Sequence, residues 1–209
     1  MKTFSIITEA DARLLDRGST VTLSVGGHIT PLALDTLRER RVTVLSPVPS
    51  VDLAQLAPAM PVRRVALGGD HTSLALKAHL LTHLRQQGLA VTDIGTHGTE
   101  AVDYPDIAAQ VARLVLRHEA DAGIVIDGAG IGSAMAANKL DGIRAACCLT
   151  PTLARYAREH NGANVMTLGS TLVTAEEAVD LVRIFLGTPT TETRYLRRLQ
   201  KLHALEASQ

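Results

Sequence analysis

Asp127 closes the apolar run Ile124-Val125-Ile126 and opens the loop Gly128-Ala129-Gly130-Ile131-Gly132, after which Ser133 begins a stretch of small residues. Glycines let backbone N–H groups come close to a ligand, and a helix N-terminus favours negative charge. Asp127 is the ionisable side chain in that cradle. Its carboxylate could take a proton from a substrate carbon, accept a hydrogen bond from a substrate hydroxyl, or accept from the loop's own amides. Other polar groups follow apolar stretches in the same manner: Asp70-His71, Asp103-Tyr104 and Ser170-Thr171. Arg194 and Arg198 are four residues apart, so on a helix they share one face and could clamp an anion or form a solvated basic face. His160-Asn161 ends a helical stretch, where an imidazole serves as an acid or ligand group or offsets the helix dipole. His71 reads as a ligand group or as a turn residue. His28, His79, His83, His97, His118 and His203 follow no pattern beyond surface placement.

These residues need a scaffold that brings them to one edge. From Val62 onward the pattern is strand, loop, helix, repeated. Strands are expected at Val65–Leu67, Val91–Ile94, Gly123–Ile126, Ile143–Cys147 and Val165–Leu168. Helices are expected from about Ser73 to Gln87, Pro105 to His118, from Ser133, from Pro151 to near His160, from Thr174 to Leu186 and from Thr191 to Leu205. Thr174-Ala175-Glu176-Glu177 is a capping box. The fold class is therefore α/β, a five-stranded parallel Rossmann-like sheet with helices on both faces, whose carboxyl edge is the expected ligand site.

Residues 1–47 read as a small α/β appendage. Thr8 caps a short helix ended by Gly18, Thr20–Val25 is a strand, Gly26-Gly27 a turn, Thr30-Pro31 the start of a second helix, and Val42–Leu45 a strand. Residues 48–61, with Pro49, Pro58 and Pro61, read as a linker, and 62–209 as the main domain.

Lys plus Arg equals Asp plus Glu, 21 each, and three Tyr, two Phe and no Trp are present. That excludes a basic, ring-studded nucleic-acid surface. Hydrophobic content of 46% supports a packed core, yet no apolar run reaches the roughly 18 residues of a membrane span. Adjacent Cys147 and Cys148 in an apolar stretch are expected to be core thiols of a protein in a reducing cytoplasm. No metal-ligand spacing occurs. A dinucleotide fingerprint from Gly128 would need glycine where Ser133 stands.

Residues 62–205 resemble the ribose-5-phosphate isomerase B family, which includes the galactose-6-phosphate isomerase subunits. The resemblance is carried by Gly68-Gly69-Asp70-His71, Gly95-Thr96 with Asp103-Tyr104-Pro105, Gly130-Ile131-Gly132 with Ala136-Ala137-Asn138-Lys139, Gly142-Ile143-Arg144-Ala145, Arg158-Glu159-His160-Asn161, and Arg194 with Arg198. It implies a cofactor-free, metal-free isomerisation of a small sugar phosphate, tetrose to hexose, through an enediolate held by loop amides. It further implies a homodimer or homotetramer with a shared active site. By the resemblance Asp127 stands in place of the usual cysteine base and His160 assists ring opening. Asp70, Tyr104 and Asn161 orient hydroxyls, and His71 contacts phosphate. Arg194 and Arg198 reach a partner's phosphate, and Gly128, Gly130, Ile131, Gly132, Ser133 and Asn138 complete the substrate site. The chain departs from the family pattern at Asp127, at Ser133 where some members place a glutamate, at Ala129 where a threonine is common, and at Thr171 where many place an arginine. The alternative is a non-catalytic sugar-phosphate-binding protein of the same fold. A short N-terminal match to ethanolamine-utilisation microcompartment proteins, Ile-Thr-Glu-Ala-Asp and Ile-Thr-Pro-Leu-Ala-Leu-Asp-Thr-Leu-Arg-Glu-Arg, suggests association with a microcompartment.

Overall fold

The computed structural model describes residues 2–45 and 56–206. The chain divides into two compact units, Met1–Val51 and Asp52–Gln209. Residues 46–55, which take in most of the expected linker, lie outside the described residues.

The N-terminal unit is a three-stranded parallel sheet, β1 (Thr3–Ile7), β2 (Thr20–Ile29) and β3 (Thr43–Leu45), in the order β1-β2-β3. Two helices connect the strands, α1 (Glu9–Leu14) and α2 (Pro31–Glu39). The expected cap at Thr8 forms, and reciprocal bonds with Asp11 make it a capping box. Two details differ from the reading of the sequence. β1 was not expected, because Thr3-Phe4-Ser5-Ile6-Ile7 is short and has no flanking turn signal. Gly26-Gly27 is not a turn: β2 runs through it, and its pairing with β1 jumps from Phe4↔Leu23 to Ile6↔His28. The pairing is irregular where these glycines lie, and glycine within a strand often marks such a site.

The main unit holds five parallel strands: β4 (Arg64–Gly69), β5 (Ala90–Gly95), β6 (Ala122–Asp127), β7 (Ala145–Cys147) and β8 (Val165–Gly169). Their order is β5-β4-β6-β8-β7. The chain moves outward from β4 to β5, then crosses to β6 on the other side of β4. The switch point therefore lies between the carboxyl ends of β4 and β6, where Gly69 pairs with Ile126. In open α/β sheets a ligand binds at such a point.

Alternation along β6 shows how the sheet is covered. Ile124 and Ile126 pack in a cluster with Leu76, Leu80 and Leu84 of α3 (Leu74–Gln86), Ala154 and Ala157 of α6 (Pro151–Glu159), and Leu181 and Phe185 of α7 (Ala175–Gly187). Val125 points the other way, into Ile107, Val111 and Val115 of α4 (Tyr104–Leu116) and Ala137 of α5 (Ile131–Ala137). Every residue of β6 is buried. That explains why its sequence is continuously apolar up to Asp127. The Thr174 capping box opens α7 as expected, and the last helix, α8, spans Thr193–Glu206.

One charged pair ties an edge strand to the core. Lys77 of α3 is only 4% exposed, and its Nζ lies 2.6 Å from Asp93 Oδ1 on β5. The Lys77→Met variant should strand the partly exposed Asp93 carboxylate. We expect a loss of about 2 kcal/mol in urea unfolding, less than the ~3–5 of a fully enclosed pair because water still reaches Asp93. Adding Asp93→Val should recover most of it; an unchanged unfolding midpoint in the single variant would contradict the pairing.

Candidate functional site

The carboxyl ends of β4, β6 and β8 lie side by side at the switch point, where an open α/β sheet forms its crevice, and Asp127 ends the middle strand. Its exposure is 5%. Oδ1 accepts from Ala129 N–H at 2.8 Å and from Gly130 N–H. Oδ2 accepts from Ser133 N–H at 2.9 Å and from the Ser133 hydroxyl. A carboxylate has about four acceptor positions, and all of them are occupied by the loop that Asp127 itself opens. Of the three roles open to this residue from sequence, the geometry is that of accepting the loop's own amides. Ser133, expected at the substrate, is fully buried and spends its hydroxyl on Asp127.

The loop is pinned from below as well. Thr167 Oγ1 donates to Gly130 O at 2.6 Å, and Thr171 Oγ1 donates to Gly128 O at 2.6 Å. Gly130 takes φ +77, and a Cβ there would meet the backbone of Leu168 at 2.8 Å. Only glycine fits against β8 at that distance. The Thr171 hydroxyl is thus already engaged at the position where an arginine is common. In the first turn of α5, the N–H groups of Ile131 and Gly132 have no acceptor among the described residues.

Asp70 faces this loop from the end of β4. It is 6% exposed, and its Oδ1 accepts from Thr72 N–H at 2.9 Å and Thr72 Oγ1 at 2.6 Å. Thr72 Oγ1 also lies 3.4 Å from Ser170 Oγ, so three strand ends are linked through hydroxyls. The ring of His71 accepts from Val102 N–H at Nδ1, 3.3 Å away. Its neutral form therefore carries the proton on Nε2. Tyr104, the first residue of α4, lays its ring on Gly132, where a Cβ would stand 2.6 Å from Cζ. Cys147, at the end of β7, donates its thiol to Ala129 O at 3.6 Å. Burial raises its pKa, a Thr167 hydrogen bond partly opposes this, and the Asp127 charge adds to the rise. Cys148 is pushed up to about 12 by burial and by Cys147. Neither thiol is a ready thiolate. Among the described residues no group of three or more His, Cys, Asp or Glu side chains is placed to hold a metal ion.

Five expected site residues lie elsewhere. His160 and Asn161 precede Val165, which pairs with Gly123 at the amino end of β6, whereas Asp127 pairs with Gly169 at the carboxyl end. Four residues of strand separate those levels, roughly 13 Å at ~3.3 Å each. The His160 ring is held between Tyr156 and Tyr195, with centroids 4.2 and 4.3 Å away. Arg194 and Arg198 cover the Tyr195 ring at 4.7 and 5.6 Å. Within one chain this aromatic and cationic column cannot meet the crevice. Asn138 is also displaced: its Nδ2 donates to Ala145 O at 2.9 Å and its Oδ1 accepts from Ala145 N–H at 2.7 Å. It completes the hydrogen bonding of edge strand β7 and is not at the crevice. With Asn161, Arg144 and Glu206 it lines a cavity of about 370 Å³ at the amino edge.

Two features escaped sequence reading. Thr72 holds Asp70, and an Asp two residues before a Thr is a turn signal that could have revealed it. Tyr195 and Tyr156 flank His160, for which a tyrosine beside Arg194 was the available hint.

The fold and crevice define an α/β protein with a polar site at its switch point. The profile described as Ribose/Galactose Isomerase matches residues 65–202, and the chain belongs to that family. It is 40% identical to ribose-5-phosphate isomerase B of Escherichia coli K12 over 145 residues, 69% of this chain and 97% of that protein. Ribose-5-phosphate isomerase B of Clostridium thermocellum superimposes with a TM-score of 0.68 at 41% identity, covering 69% of this chain and 98% of that one. The Mycoplasma genitalium enzyme, solved with bound ribulose-5-phosphate, gives 0.67 at 37% identity, covering 70% and 97%. The N-terminal unit lies outside the family match.

The contact between Gly132 and Tyr104 has a direct check. Gly132→Ala should move the Tyr104 ring while costing about 1 kcal/mol, because an exposed side chain can yield. With three tyrosines in the chain, ring NMR shifts assign the change; an unmoved Tyr104 signal would refute the contact.

Proposed function

We propose that this protein interconverts the aldose and ketose forms of a small sugar phosphate, tetrose to hexose, through an enediolate and without a cofactor. Family membership and the crevice of hydroxyls, carboxylates and unpaired amides support the reading. Ile131 and Gly132 N–H groups suit an enediolate oxygen, a stabilisation typical of preorganised donors. His71 Nε2–H suits a phosphate, and Tyr104 a hydroxyl. The base is one of two carboxylates, Asp70 or Asp127. Asp127 holds the place of the family's usual cysteine, and to act there it must release the Ser133 hydroxyl, since its other three donors are backbone groups.

His160, Asn161, Arg194 and Arg198 enter this reading from a second copy. The single observation that carries the shared site is their separation from the crevice by the height of the sheet. Exposed Ile131 and Met135 on α5, with Leu149 before α6 and Leu153 and Tyr156 on it, give an apolar surface for such pairing. The substrate and two free thiols suit the cytoplasm; among the described residues no helix is long and apolar enough to cross a membrane. The saturated Asp127 favours one rival, a protein that binds sugar phosphates without turnover.

Incubation of four- to six-carbon sugar phosphates in deuterated water separates the two. The isomerase exchanges the hydrogen beside the carbonyl, seen by NMR; binding by calorimetry without exchange establishes the rival, and neither outcome removes both. Sharing is tested by mixing Asp127→Asn with Arg198→Ala. Each alone should lose activity, and reassorted dimers should regain about a quarter of it, since one site in each mixed dimer is intact. No recovery would refute the shared site.

A further inference from the structure

We infer, resting on the isomerase reading, that Asp70 rather than Asp127 takes the carbon-bound proton. The two carboxylates stand at neighbouring strand ends: Gly69 pairs with Ile126, so Asp70 and Asp127 follow at the same level, roughly 4.8 Å apart between strands. They differ in what their oxygens are doing. All acceptor positions of Asp127 are filled, three of them by the N–H groups of Ala129, Gly130 and Ser133, which cannot turn away without unmaking the loop. Asp70 uses only Oδ1, for Thr72. Its Oδ2 has no partner among the described residues and is not sealed from solvent.

The carboxylate is also held. Asp70 N–H donates to Ile126 O at 3.1 Å, and Ser73 Oγ donates to Asp70 O at 2.7 Å. Both fix the backbone, while Thr72 fixes the carboxylate plane. The same turn looks onto the glycine loop, since a methyl group on Gly128 would lie 3.9 Å from Thr72 Oγ1. Asp70 therefore stands beside the loop whose Ile131 and Gly132 N–H groups are open among the described residues. Other candidates are spoken for: Cys147 donates its proton to Ala129 O, and His71 Nδ1 accepts from Val102 N–H.

The step balances within the chain and substrate. Asp70 Oδ2 takes the proton from the carbon beside the carbonyl. The C–H electron pair forms the enediolate double bond, and the carbonyl π pair moves to its oxygen. Protonated Asp70 then returns the proton to the neighbouring carbon, which takes it with the enediolate double-bond pair. The hydroxyl proton passes from the second oxygen, which becomes the new carbonyl, to the first, which becomes the new hydroxyl, and the carboxylate is restored. Asp127 becomes a positioning residue that shapes the loop.

The test is isotope exchange with wild type and variants, with folding followed by circular dichroism and binding by calorimetry. Asp70→Asn keeps an Oδ1 for Thr72 and places an amide at the free position. Exchange should fall about 10²–10⁴-fold, the usual worth of a general base, with substrate binding retained. Asp70→Gly should regain exchange when formate is added, a rescue that a purely structural role would not allow. Ser133→Ala empties one acceptor position on Asp127 and supplies an independent measure should the Asp70 variants fail to fold. On this proposal it does not accelerate exchange. Acceleration of about tenfold or more (~1.4 kcal/mol) would make Asp127 the base and overturn the assignment. So would near-wild-type exchange by Asp70→Asn, or formate rescue of Asp127→Gly but not of Asp70→Gly. No exchange by the wild type would remove the isomerase reading itself, a result distinguishable from exchange that survives in Asp70→Asn.

Discussion

Four hydrogen-bond donors converge on one buried carboxylate, and the crevice takes its shape from that convergence. A loop of Gly128-Ala129-Gly130 leaving a strand has no intrinsic preference for one path. Asp127 sets it by gathering Ala129, Gly130 and Ser133 N–H groups, while Thr167 and Thr171 hold the loop carbonyls from β8. Donors on one side and acceptors on the other leave little freedom. A carboxylate suits the work because each of its oxygens accepts twice and charge-assisted bonds are the strong ones. A thiol could not organise so many donors.

The second constraint is the sheet itself. All five strands are parallel, so the main unit has one carboxyl edge and one amino edge, and each helix returns the chain to the amino edge. Residues that follow a strand come together, and those that follow a helix go to the far side. Asp70, His71, Asp127 and Ser170 belong to the first set; His160, Asn161 and Asn138 belong to the second. Arg194 and Arg198 join the second set because Tyr195 of α8 packs against the His160 ring. α8 is seated by Leu199 against Gly162, where a Cβ would meet Leu199 at 2.6 Å. A parallel α/β unit can therefore unite the two sets only by pairing with another copy.

This same asymmetry decides what could be read from the sequence. Periodicity and punctuation located every strand and helix of the main unit to within a few residues, because a sheet buried on both faces needs continuous apolar runs and its helices need capped, amphipathic ones. In the N-terminal unit the signal was weaker: β1 has no turn beside it, and Gly26-Gly27 looks the same in sequence whether it turns the chain or lies where strand pairing is irregular. Residue types placed Asp70, His71, Tyr104 and Asp127 near one another. They could not tell which of two carboxylates has an oxygen left over, since that depends on the path of a glycine loop and on the Ser133 hydroxyl. Asn138 shows the limit in another form, as its amide is equally suited to a ligand or to the unpaired edge of β7. Arg158, legible in the sequence only within the family motif, is fully buried on Phe185.

Committing Asp127 to the loop has an electrostatic consequence for whatever binds there. Amides that bond to a carboxylate inside the protein are no longer available to an incoming anion, and of the loop's N–H groups Ile131 and Gly132 are among those left open. Asp127 also adds a negative charge at the end of the sheet that already carries Asp70. An anionic sugar phosphate must then be held by cations from outside the loop. The crevice half of the chain offers the His71 Nε2–H, a donor whose ring also accepts from Val102 N–H, and Thr171 has given its hydroxyl to Gly128. The concentrated positive charge is in Arg194 and Arg198 on Tyr195. In the proposed shared site, the more completely the glycine loop is occupied by its own aspartate, the more binding of a phosphate would depend on arginines from a neighbouring copy. On the proposed pairing of copies, oligomer formation and substrate affinity would rest on the same contacts, so weakening one would weaken the other.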